Sequence, residues 1–178
     1  MVQEKFAAGM QKLLKEKSVE DVFEISAGAE EKRMYVVVSS QPAKTKIALL
    51  GDDVNNKILL LEPMDLFRDK KIFMEILERG KSLKLKKRLC EHLEIEKYFS
   101  FEYSLTNLDS VKKQTFSHSL YGTGGRESFL KKLNGRKLGK NNVLIPVSGE
   151  AGLVQFFRAW NIRYNKICVW LENNRQKE

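Results

Sequence analysis

His118 is the histidine of this chain with chemically useful neighbours. Tyr121 follows three residues later, and lysines lie on both sides. A histidine as general base, a tyrosine as polar partner and a lysine as oxyanion stabiliser are residue types that suit metal-independent RNA cleavage. The only other histidine, His92, is far away in sequence, so a paired-imidazole mechanism is not available. His118 and Tyr121 are therefore the candidate catalytic residues of a nuclease or nucleic-acid-modifying enzyme. Three common residue types at close spacing arise often by chance, so the balance leans against catalysis.

Metal and cofactor chemistry has less to build on. Asp52 and Asp53 sit together in GDDVNN, where Gly, Asp and Asn serve turns, and no further acid falls at a loop-metal spacing. Glu150 and Glu172 each follow a predicted strand. The placement resembles the metal-binding arrangement of topoisomerase–primase-type sheets, which implies paired aspartates after the second strand, whereas here Glu172 is followed by Asn173 and Asn174, and the resemblance is read as coincidence. YGTGGRES lacks the Gly-Lys-Ser/Thr ending of a phosphate-binding loop. No metal and no cofactor is expected. Cys90 and Cys168 lie among apolar residues, in RLCEHL and KICVWL, and read as two buried free thiols of a reducing compartment.

Charge is the stronger signal. The chain of 178 residues has a net charge of +9. Residues 1–65 hold nine Lys/Arg against eleven Asp/Glu, and residues 66–178 hold twenty-three against twelve. A lopsided basic surface attracts polyanions through counterion release and steering. The stretch 111–142 concentrates it, with Lys112, Lys113, Arg126, Lys131, Lys132, Arg136, Lys137 and Lys140 against one acid, Glu127, and with five of the chain's eleven glycines. Gly122, Gly124 and Gly125 precede a helix-like run, 126–133, where backbone amides can approach an anion. The stretch reads as a basic Gly-rich loop.

The elements around it are legible from periodicity. Residues 2–17 predict an amphipathic helix with Phe6, Met10, Leu13 and Leu14 in one stripe. Four apolar runs, 22–26, 34–39, 46–50 and 57–61, predict an antiparallel β-meander. Residues 65–79 predict a helix capped by Asp65 and ended by Gly80. Ser82 then caps a second helix through residue 93, with Leu85, Leu89 and Leu93 aligned. This helical hairpin puts Lys84, Lys86, Lys87 and Arg88 on its second helix, as a DNA recognition helix or any solvated basic helix would. Residues 97–105 predict a strand with Phe99, Phe101 and Tyr103 on one face, more often core than a base-stacking platform. Residues 143–148, 151–162 and 167–171 predict a strand–helix–strand unit, with Leu153, Phe156, Phe157 and Trp160 inward and a crossover suited to parallel pairing.

The expected fold is α+β: N-terminal helix and antiparallel meander, helical hairpin, then strand–helix–strand. Residues 1–178 read as a single domain, with a sub-boundary near 63–66 as the alternative. No apolar run reaches the roughly twenty residues of a membrane span, and a cytoplasmic or nuclear protein is expected. The expected function is non-catalytic binding of RNA or DNA. The phosphate contacts come from Lys112, Lys113, Arg126, Lys131, Lys132, Arg136, Lys137 and Lys140, then from Lys84, Lys86, Lys87 and Arg88. Two other readings remain: the nuclease centred on His118 and Tyr121, and a protein-interaction subunit of a larger complex whose basic stretch meets an acidic partner.

Overall fold

The computed structural model of the chain describes residues 2–26, 33–45, 56–124 and 127–172. The fold is mixed α+β, with two four-stranded sheets and seven α-helices among the described residues. The chain divides into two compact units, Met1–Glu94 and Ile95–Glu178. The composition shift near residues 63–66 falls inside the first unit.

In the first unit the sheet order is β3-β2-β1-β4. Helix α1 (Val2–Leu13) buries Phe6, Met10 and Leu13 against one sheet face, as their spacing predicts. Strands β1 (Val19–Ser26) and β2 (Arg33–Ser39) pair antiparallel. Their register slips between Val19 and Asp21, and that bulge turns Val19 to the same face as Val22, towards α1. Tyr35 and Val37 of β2 also face α1. Val36 and Val38 face the opposite way, towards α2 (Pro63–Arg68) and α3 (Lys70–Arg79). β2 is thus covered on both faces, which is why its run of valines does not alternate with polar residues.

The antiparallel meander is only partly right. β3 (Asn56–Leu61) runs parallel to β2, from Arg33↔Asn56 to Val38↔Leu61. Apolar content marks a strand, whereas the direction of its partner depends on how the chain returns. The expected strand at 46–50 and the turn residues Asp52 and Asp53 lie outside the described residues.

The helical hairpin needs a larger correction. The first helix is two, broken at Asp69, whose carboxylate accepts from the amides of Lys71 and Ile72 at 3.1 Å each. Asp65 lies in the first turn of α2 and does not cap it. The second helix is absent over 83–88. Lys81–Ser82 is instead an edge strand, β4, paired with β1 through Phe23↔Ser82. The chain then turns back on itself, with the Ser82 amide donating to the Lys87 carbonyl at 2.9 Å and the Leu85 amide to Ser82 Oγ at 2.9 Å. Only a single turn of helix follows, α4 (Leu89–His92). Leu85 and Leu93 are 45% and 47% exposed, so the leucine spacing does not make a buried stripe.

The second unit runs β5 (Ile95–Ser104), α5 (Ser110–Tyr121), α6 (Phe129–Lys132), β6 (Arg136–Gly139), β7 (Asn142–Pro146), α7 (Glu150–Ala159) and β8 (Arg163–Glu172). Its sheet order is β6-β7-β5-β8, and every neighbouring pair is antiparallel. This is the β-α-β-β-α-β order of a ferredoxin-like split unit. The expected parallel pairing of β7 with β8 is corrected: β5 lies between them. Phe99, Phe101 and Tyr103 point into the core with Phe116, Leu120, Leu130, Leu153 and Phe157, as the period-two pattern predicts. Phe101 and Phe157 are fully buried and meet edge-on, with ring centroids 5.9 Å apart. No helix among the described residues is long and apolar enough to cross a membrane.

Candidate nucleic-acid interface

The basic stretch is mostly regular structure, not a loop. Its first third is α5. Asp109 caps that helix, accepting from the Lys112 amide at 2.8 Å, and this hydrogen bond holds its carboxyl below the usual range. Lys112 Nζ lies 3.6 Å from the same carboxylate, so part of its charge is met locally. Phe116 and Leu120 anchor α5 to the core. The helix stops at Gly122, whose φ of 77° suits glycine. That glycine therefore has a structural use. Arg126 and Gly125 lie outside the described residues.

At the C-terminal end of α5, Tyr121 reaches the Tyr103 hydroxyl of β5 at 2.6 Å. Burial pushes both phenols up. Lys137 Nζ of β6 stands 4.7 Å from the Tyr121 ring centroid, over its face. The Tyr103–Tyr121–Lys137 set thus connects the core to the basic surface. The sequence carries no signal for it, because Tyr103 and Tyr121 are eighteen positions apart in different elements. His118 is exposed on α5, and no described contact joins it to the Tyr121 hydroxyl.

Helix α6 brings Lys131 and Lys132. Its N-cap is Ser128, whose Oγ accepts from the Lys131 amide at 3.0 Å. The chain then turns sharply through Asn134 (φ 53°) and Gly135. A side chain at Gly135 would run into the Cδ1 atoms of Ile145 and Leu130. This close approach sets Arg136 and Lys137 directly after the α6 corner. Arg136 is paired with Leu144 and Lys137 with Val143, so they leave opposite faces of β6. Lys140 follows in the hairpin turn.

Lys113, Lys131, Lys132, Arg136, Lys137 and Lys140 are all exposed, and none has a carboxylate within salt-bridge distance among the described residues. The cluster at Lys84, Lys86, Lys87 and Arg88 differs. It lies on the turn after β4, in the other unit. Arg88 is bound to Glu91 at 2.7 Å, and Lys84 Nζ donates to the Val19 carbonyl. Of that group, Lys86 and Lys87 have no salt-bridge partner among the described residues.

Other candidates resolve into structure. Glu150 is held by Lys166 at 2.6 Å, and Lys166 in turn lies 4.6 Å from the Phe99 ring centroid. Cys90 is buried as expected, but Cys168 is exposed, because β8 is the sheet's outer strand and its middle lacks cover. Among the described residues no three His, Cys, Asp or Glu side chains gather as metal ligands do. A polar cleft of about 420 Å³ in the first unit is lined by Glu16, Lys17, Ser18, Ser40, Gln41 and Lys44. No protein family, no curated protein and no solved structure matches the chain.

Proposed function

We propose that the chain binds nucleic acid without chemistry of its own, through phosphate contacts made by the second unit. The observation that carries this reading is the set of six exposed cations, Lys113, Lys131, Lys132, Arg136, Lys137 and Lys140, that no carboxylate among the described residues pairs. Unpaired surface lysines release counterions when they meet a phosphate backbone, and each such contact steepens the salt dependence of binding. The α6–β6 corner supports the reading further, since Lys131, Lys132, Arg136 and Lys137 fall within seven positions of each other around a turn fixed by Gly135. Lys112 and Arg126 extend the set in sequence. The turn after β4 contributes at most Lys86 and Lys87.

Two of these cations have a second physical use. β6 is an edge strand, and Arg136 and Lys137 on an edge discourage pairing with another chain. A binding titration against short single- and double-stranded RNA and DNA, at several salt concentrations, separates the two roles. The slope of log affinity against log salt is expected to approach roughly −0.7 to −0.9 for each phosphate neutralised. Arg136→Glu with Lys137→Glu is expected to weaken binding and flatten that slope. A slope unmoved by the double reversal, or no binding at low salt, counts against the assignment.

A further inference from the structure

β6 is an outer strand of the second unit's sheet, and its cations stand on both sides of it. Arg136 pairs with Leu144 and Lys137 with Val143. Val143 belongs to the core under the helices, so Lys137 leaves the helix-covered face, where its Nζ stands over the Tyr121 ring. The ring holds the ammonium in place without neutralising it. Arg136 leaves the opposite face, beside Leu144. Lys131 and Lys132 precede the strand, and Lys140 sits in the hairpin turn at its other end. The acids on the strands of the Arg136 face, Glu96 and Glu102, belong to β5, and β7 lies between them and this edge.

The unit's aromatic rings are committed elsewhere. Residues 95–178 hold twelve aromatic side chains, and none is exposed. Ten of them lie in the core cluster or pack against it. Single-stranded nucleic acid is commonly held by stacking its bases on open aromatic faces. This unit offers cations at its edge without such a platform. A single strand is also one row of phosphates, which follows one side of a sheet edge. A groove of a duplex is bordered by two rows, one from each strand, and the major groove of B-form DNA, about 12 Å wide, admits an element as broad as an α-helix or a β-ribbon. We infer that the ligand is duplex DNA and that the β6 edge enters its major groove, with Arg136 on the phosphates of one strand and Lys137 on those of the other. The inference rests on the nucleic-acid reading of the same cations and adds which form of nucleic acid they hold.

Duplex DNA, duplex RNA and a single strand of each, matched in phosphate number, are titrated against the full chain at several salt concentrations. A phosphate contact with a slope near −0.9 contributes a factor of about eight at about 0.1 M salt. Duplex DNA is therefore expected to bind about eightfold or more tightly than either single strand, which loses the contact on one side. It is also expected to bind more tightly than duplex RNA, whose deep major groove is too narrow for the edge. Arg136→Gln and Lys137→Gln are each expected to reduce the magnitude of the duplex DNA slope by about 0.9, with the circular dichroism spectrum unchanged. A single strand or a duplex RNA bound as tightly as duplex DNA would overturn the inference while leaving nucleic-acid binding in place. So would a duplex DNA slope that either substitution alone leaves unmoved. Absence of binding to all four would overturn the nucleic-acid reading and this inference together.

Discussion

Tyr103 is 4% exposed, and its hydroxyl meets that of Tyr121 at 2.6 Å. Burial raises both phenols above the ordinary value of 10.0, and Tyr35 as well. A folded-state value above the unfolded one means that the folded chain holds these protons more tightly. Their contribution to stability is complete below about pH 10 and is lost as pH rises through the folded-state values. Spectrophotometric titration is expected to show Tyr35, Tyr103 and Tyr121 ionising late or together with unfolding, while all five tyrosines titrate normally in the denatured chain. Five normal tyrosines in the folded protein would refute the buried hydroxyl pair. Tyr103→Phe removes that hydrogen bond and is expected to cost about 1 kcal/mol in urea unfolding. His118 lacks a base-orienting partner among the described residues, so a labelled oligonucleotide is expected to remain intact with EDTA present.

Elements were legible where local pattern and burial agree. The stripe of α1 and the Phe99–Phe101–Tyr103 face of β5 follow from periods of 3.6 and 2, which tertiary structure then used unchanged. The segment 83–93 shows the opposite. Its leucines are spaced for a helix, yet the Ser82 amide is committed to a turn and β4 is tied to β1. Pairing with a strand sixty residues away is invisible to local periodicity. Gly80 makes this corner feasible: a Cβ there would lie 2.6 Å from the Ile76 carbonyl oxygen. Gly80→Ala is therefore expected to destabilise the chain by roughly 1–3 kcal/mol, read from its denaturant midpoint, because the α3–β4 corner must shift. A neutral result would mean that the corner relaxes freely.

The whole molecule separates charge by unit. Residues 1–94 hold eighteen Lys/Arg against sixteen Asp/Glu, and residues 95–178 hold fourteen against seven. Several first-unit cations are also neutralised in place: Arg33 by Glu24, Arg68 by Asp65 and Arg88 by Glu91. Reversal at Lys86 and Lys87 is accordingly expected to leave the salt slope of nucleic-acid binding nearly unchanged, whereas reversal at Arg136 and Lys137 flattens it. Equal effects in the two units would show that the turn after β4 shares the ligand.

The sequence by itself determined the α+β class, the apolar faces of α1, β5 and α7, and the concentration of positive charge in residues 111–142. Each of these depends on residue type at short range, which local periodicity and composition record directly. Tertiary structure decided that β3 runs parallel to β2, that β5 separates β7 from β8, and that residues 83–88 form a turn. It also decided that Tyr103, Tyr121 and Lys137 meet. Each of these outcomes is a competition among long-range partners for the same backbone hydrogen bonds and apolar faces. A single strand's pattern is compatible with several winners, and only the assembled sheet selects one.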